Sequence, residues 1–193
     1  MGEHGLTPRE SAPAKGGTRA VFLDRDGVIN RPLIRDGKPY PPGSLQQFEI
    51  YPDVARACVA LKDAGYLLIV ATNQPDVGRG TQSRAVVDDM HATMCRRLPI
   101  DRVEVCYDPG HGEGSEFYKP APGMLLRAAR ELNIDLPASF MVGDRWRDID
   151  CGAAAGCQTI FIDRGYNERL RCQPHYTVSS LLEAVQLILG TPS

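Results

Sequence analysis

The run Phe22-Leu23-Asp24-Arg25-Asp26-Gly27-Val28-Ile29-Asn30 leaves an apolar stretch, Ala20–Leu23, and turns at once to charge. In extended backbone residues i and i+2 face the same way, so Asp24 and Asp26 project towards one site. Gly27 then permits a turn that a side chain would hinder. Two neighbouring carboxylates repel, which favours a shared proton or a bound cation. A bare Asp-x-Asp equally suits an Asx-rich turn. Its place directly after an apolar strand, and the partners found further along the chain, favour a site.

Outward from this run, short apolar segments alternate with amphipathic helical ones. Strands are predicted at Ala20–Leu23, 66–72, 103–107, 139–142 and Gln158–Ile162, and helices at about 52–64, 82–97, 122–132, 147–155 and 179–189. In the first helix Val54, Cys58 and Leu61 recur at helical spacing, and Gly65 supplies a stop. Near-continuous apolar strands separated by helices predict an α/β fold, a parallel Rossmann-like sheet with helices on both faces. Such sheets bind ligands at the carboxyl ends of their strands.

Four strand ends lead to residues with chemical potential. Asp24 follows the first strand. Thr72-Asn73-Gln74 closes the second, where a hydroxyl and a backbone N–H suit an anionic oxygen. The third leads to Lys119-Pro120-Ala121-Pro122-Gly123-Met124, a lysine just ahead of a helix start, and both features attract anions. The fourth gives Gly143-Asp144-Arg145-Trp146-Arg147-Asp148, with Asp148 one helical turn after Asp144. Helix capping is the plainer reading of Asp148, and a solvated surface position that of Lys119. Taken together, the carboxylates, hydroxyl and ammonium suit Mg²⁺ and a phosphate oxygen, since hard oxygen ligands in an incomplete shell are what that ion accepts. One aspartate could then attack phosphorus while its neighbour handles protons.

The set DxDGVIN, TNQ, KPxPGM and GDxxxD resembles the haloacid dehalogenase superfamily of phosphohydrolases, and is most similar to its branch of histidinol-phosphate and heptose-bisphosphate phosphatases. The likeness runs from about residue 20 to 166, with all four motifs in order. It implies that Asp24 is the nucleophile and Asp26 the general acid/base. It also implies that Asp24, the backbone carbonyl of Asp26 and Asp144 hold Mg²⁺ with Asp148 in support, and that Thr72 and Lys119 stabilise the transferring phosphoryl group. The second aspartate goes with the phosphatases rather than the dehalogenases.

Larger members insert a cap domain between these motifs. Only 45 residues separate Asp26 from Thr72 and 46 separate Thr72 from Lys119, and predicted helices and strands take most of both. No cap is expected, so substrate choice falls to the loops 31–48 and 75–80. Asn73, Arg79 and Arg145 are expected substrate contacts. Tyr118 joins them at a place where the heptose phosphatases carry an arginine, and tyrosine cannot supply the same bidentate contact. Relatives also carry a structural zinc site before the lysine. Here Cys106 and His111 remain, but Ser115 and Phe117 stand where a second cysteine pair would be, so no structural zinc is expected.

Composition narrows the alternatives. Of 193 residues 42 % are hydrophobic, enough for a substantial core, and the net charge of −2 gives no footprint for nucleic-acid binding. The chain reads as a tail over residues 1–18 and one domain over 19–190. No run of about 18 apolar residues suits a membrane span. Six cysteines without a CxxC pair suit a reducing cytoplasm. The expected activity is Mg²⁺-dependent hydrolysis of a small phosphomonoester by a monomer, with a heptose 1,7-bisphosphate as the leading substrate. The alternatives are a histidinol-phosphate phosphatase and a non-catalytic binding protein on the same fold.

Overall fold

A computed structural model describes residues 17–110 and 115–190. In chain order the elements are β1 (Ala20–Leu23), β2 (Leu33–Arg35), β3 (Lys38–Tyr40), α1 (Val54–Asp63), β4 (Leu67–Asn73), α2 (Pro75–Gly78), α3 (Arg84–Arg97) and β5 (Arg102–Cys106). They continue with α4 (Gly123–Leu132), β6 (Phe140–Gly143), α5 (Trp146–Ala155), β7 (Gln158–Ile162), β8 (Tyr176–Val178) and α6 (Leu181–Leu189). Every predicted strand and helix is present, with ends displaced by a residue or two.

Six parallel strands form one sheet in the order β5-β4-β1-β6-β7-β8. Side chains alternate across it, as the period of an extended chain requires. Val21 and Leu23 of β1, with Leu68 and Val70 of β4, enter one core; α1, α3 and α6 cover it with Leu61, Met90 and Val185. Ala20, Phe22, Ile69 and Ala71 enter the other, beneath Met124 and Leu125 of α4 and Cys151 of α5. Both faces of the central strands are buried, which is why those strands read as unbroken apolar runs.

The chain steps outward from β1 through β4 to β5, then crosses back to lay β6, β7 and β8 on the other side. The order reverses beside β1, and crevices for ligands open at such a reversal. Among the described residues no segment forms a cap domain over that edge. The small antiparallel hairpin β2–β3 lies near it instead.

Of the expected tail, residues 1–16 lie outside the described residues. Thr18, at its end, exchanges backbone hydrogen bonds with Asn133 and Asp135 at 2.8 and 2.9 Å. No helix among the described residues is long and apolar enough to cross a membrane.

Candidate active site

Three strand ends meet at β1. The Asp24 N–H donates to the carbonyl of Val142 in β6 at 3.0 Å, which ties the loop after β1 to the neighbouring strand. Gly27 then turns with φ +93°, and a β-carbon there would stand 1.8 Å from Asp144 Oδ2. Only glycine lets the first loop pass this close to the fourth motif.

Lys119 lies buried among these acids. Its ammonium donates to Asp24 Oδ1 at 2.8 Å, to Asp148 Oδ1 at 2.6 Å and to the Ala71 carbonyl at 2.7 Å. All three of its protons are thus engaged. Burial alone would lower its pKa, but Asp148 and Asp24 more than offset that and hold it raised. Asp148 both caps α5 and works in the site, because its Oδ2 accepts the Arg145 N–H at 3.0 Å. Asn73 clamps the lysine's backbone: its Nδ2 donates to the Lys119 carbonyl and its Oδ1 accepts the Lys119 N–H, both at 3.1 Å.

Asp24, Asp144 and Asp148 each present an oxygen within 4.8 Å of the others'. Lys119 compensates one of these three charges, and the imbalance appears in the proton affinities of Asp24 and Asp144. Burial pushes Asp24 up to about 6, opposed by Lys119 and reinforced by the charges of Asp148 and Asp26. Asp144 is raised well above the ordinary carboxylate range, by burial first and then by Asp24 and Asp148. Both oxygens of Asp144 are buried with no partner in hydrogen-bonding geometry, although the Tyr166 phenol is close enough to act on its ionisation. An orphaned buried carboxylate beside two others fits a hard divalent cation. Among the described residues this is the one such cluster of acids, histidines or cysteines.

Asp26 has a different environment. Its side chain forms a bidentate pair with the fully buried Arg25, with contacts of 2.8 and 3.1 Å from Nη2. Asn30 Nδ2 and Gln74 Nε2 also donate to it, both at 2.9 Å. Burial would raise its pKa, but Arg25, Asn30 and Gln74 more than offset this and hold it below the usual carboxylate value. Asp26 therefore rests as an anion, suited to accept a proton; donating one requires that it first take one up. Gln74 also donates to Thr72 Oγ1 at 3.0 Å, which links the first two motifs.

Asp24, Asp26, Thr72, Lys119, Asp144 and Asp148 all line one cleft of about 340 Å³. So do Asn73, Arg79, Tyr118 and Arg145, so the structure brings all ten expected site residues together. Arg79 is further held by the Pro109 carbonyl and Asp76, and Arg145 by Glu168. In the loop where relatives carry zinc ligands, Cys106 Sγ lies 3.9 Å from Ser115 Oγ, and His111 is outside the described residues.

Five further residues take part beyond the ten expected ones. Arg25 occupies the position between the two aspartates that points away from them in an ideal strand, so alternation hides its role. Asn30 and Gln74 stand at the ends of their motifs, where residue type alone does not mark them as partners of Asp26. The hairpin β2–β3 brings Pro39 and Tyr40 to the cleft mouth. Its signal was the Asp36-Gly37 dipeptide, which takes φ of +50° and +71° in a tight turn.

Comparison with known proteins agrees with this geometry. The HAD-hydrolase-like family profile matches residues 117–184. A D-glycero-alpha-D-manno-heptose-1,7-bisphosphate 7-phosphatase of Burkholderia mallei (strain ATCC 23344) is 40 % identical over 155 residues, 75 % of this chain and 79 % of its own. The D-glycero-beta-D-manno-heptose-1,7-bisphosphate 7-phosphatase of Pasteurella multocida (strain Pm70) is 35 % identical over 189 residues, 91 % of this chain and 99 % of its own. The crystal structure of a D,D-heptose 1,7-bisphosphate phosphatase from B. bronchiseptica, complexed with magnesium and phosphate, superposes with a TM-score of 0.74. It is 27 % identical and the match covers 90 % of this chain and 99 % of that one. With the acids, lysine and hydroxyl assembled at the strand ends, the chain belongs to the HAD-like hydrolases, among the phosphatases that these relatives represent.

Proposed function

We propose that residues 19–190 act as a single capless domain that hydrolyses a small sugar bisphosphate, best matched by a heptose 1,7-bisphosphate, through a phosphorylated Asp24. The observation that carries this reading is the joint placement of Asp24, Lys119 and the orphaned Asp144 in one cleft. Asp24 is buried enough to be shielded from competing bulk water, yet 11 % of its side chain is exposed towards attack. Thr72 holds an oxygen of the transferring group, and the Lys119 ammonium, kept in place by Asp148 and the Ala71 carbonyl, turns its third donor from Asp24 to that group, matching charge that spreads there as the bond to the leaving group breaks. Asp24 displaces the sugar alkoxide and forms an acyl phosphate.

Asp26 handles the protons. A phosphate dianion arriving beside it raises its proton affinity, so it can protonate the leaving oxygen despite its pairing with Arg25. The resulting carboxylate, again held by Arg25, Asn30 and Gln74, then removes a proton from the water that hydrolyses the intermediate. Mg²⁺ held by Asp24, Asp144 and the Asp26 carbonyl, with Asp148 in support, would neutralise charge between the acids and the phosphate. Asn73 and Asp148 keep Lys119 in place, while Arg79, Arg145 and Tyr118 face the substrate across the cleft. No structural zinc is part of this reading, because Ser115 and Phe117 offer no thiolate.

Six free thiols, four of them buried, suit a reducing cytoplasm. Of the large exposed apolar side chains among the described residues, Ile34 and Tyr40 lie on the β2–β3 hairpin at the cleft and the others on separate elements, and a monomer is the assembly proposed. Phosphate release should be assayed with Mg²⁺ and with chelator on heptose 1,7-bisphosphate, histidinol phosphate and a short 3′-phosphorylated oligonucleotide. Chelator-sensitive release concentrated on the bisphosphate is expected. Preference for histidinol phosphate would overturn the substrate, and no release from folded protein would overturn the enzyme.

A further inference from the structure

Four cations line the cleft: Lys119, Arg79, Arg145 and Arg147. Three are engaged by carboxylates, Lys119 by Asp24 and Asp148, Arg79 by Asp76 and Arg145 by Glu168. Arg147 has no carboxylate partner among the described residues. Its guanidinium carbon lies 4.8 Å from the centroid of the Trp146 ring and 6.0 Å from that of Tyr118. Arg171 lies 3.4 Å from the Trp146 ring as well, so cations and rings alternate along the rim: Arg171, Trp146, Arg147, Tyr118.

The two kinds of partner have different electrostatic consequences. A carboxylate holds an arginine by cancelling its charge. An aromatic face holds it through the ring quadrupole and leaves the full charge and the planar fork of donors free. Arg147 is also half-buried, in the first turn of α5, and directly precedes Asp148, the residue that fixes Lys119. One helix start thus sets the spacing between the bound lysine and this free guanidinium. A substrate with two phosphates must place the second one elsewhere in the cleft while the first is over Asp24.

We propose that Arg147 binds the second phosphate of a doubly phosphorylated substrate, oriented for that task by the rings of Trp146 and Tyr118. This rests on the reading that Asp24 accepts the first phosphoryl group. It makes Arg147 a determinant of specificity rather than of chemistry, since the bond-breaking groups sit at the strand ends.

The test compares wild type with Arg147→Gln, Arg147→Lys and Arg147→Glu on heptose 1,7-bisphosphate and on p-nitrophenyl phosphate, which has no second phosphate. Arg147→Gln should lower kcat/KM for the bisphosphate about ten- to a hundredfold, mainly through KM, as for loss of a charged hydrogen bond. Turnover of p-nitrophenyl phosphate should stay within about twofold, which also shows that the fold is intact. Lysine should restore part of the loss and glutamate deepen it. Equal losses on both substrates, or none on either, would overturn the role of Arg147 while leaving the phosphatase standing. Wild-type protein inert on both would overturn the underlying reading and this inference together.

Discussion

His91 bears on the site although no ligand reaches it. Its Nε2 lies 3.2 Å from Arg25 Nη1, and since a guanidinium only donates, the ring must accept there and stay neutral. Burial lowers its pKa from 6.5 to about 4, helped by the Arg25 charge. Above pH 6.5 the ring is neutral in both the folded and the unfolded chain and contributes nothing to pH dependence. Below it the unfolded chain takes up a proton that the folded one refuses, so stability falls with pH down to about 4. At pH 5 the deficit is about 2 kcal/mol. Denaturant titrations at pH 7.5 and pH 5 should show wild type losing about that much more than His91→Gln, whose amide oxygen still accepts from Arg25. Parallel losses in the two proteins would refute it. The same residues show where single-position reading stops. Asp24, Asp144 and Lys119 announce themselves by residue type, whereas Arg25 and His91 are 66 positions apart and only the packing of α3 joins them.

Elements were legible where the pattern is strong. Each central strand is buried on both faces and reads as an apolar run, and α1 buries Val54, Cys58 and Leu61 at helical spacing. The elements that escaped are short and exposed. β8 has two exposed residues of three, so it carries no hydrophobic signature and forms only because β7 offers an edge. β2 and β3 are equally exposed, and their prolines and glycines suggest a loop unless Asp36-Gly37 is taken as a turn. At the end of the chain α6 starts at Ser180, whose hydroxyl accepts the Glu183 N–H at 3.2 Å. Removing that cap by Ser180→Ala should cost about 1 kcal/mol and lower Tm by about 2–4 °C, with kcat/KM unchanged because α6 packs into the core with α1 and α3 and lends no residue to the cleft. A melting point that does not move would show the cap to be idle, and a fall in activity would show α6 to be coupled to the cleft.

At the scale of the molecule, order of strands rather than identity of residues makes the site. Local patterns gave the strands and their ends, but not the sequence β5-β4-β1-β6-β7-β8, which depends on how the helices share the two cores. That order puts β4 and β6 against β1, and so brings Thr72 and Asp144 beside Asp24, 48 and 120 positions away along the chain. With no cap domain over the cleft among the described residues, we assign selection to its rim: the hairpin's Pro39 and Tyr40, and Arg147 on its rings. The central claim is that the phosphoryl group passes through Asp24. Single-turnover mixing with radiolabelled heptose 1,7-bisphosphate, quenched in acid and mapped by peptide mass spectrometry, tests it directly. A hydroxylamine-sensitive phosphate on the peptide that carries Asp24, absent from Asp24→Asn, is the predicted result. Rapid phosphate release with no labelled protein at any time, or full turnover by Asp24→Asn, would contradict it.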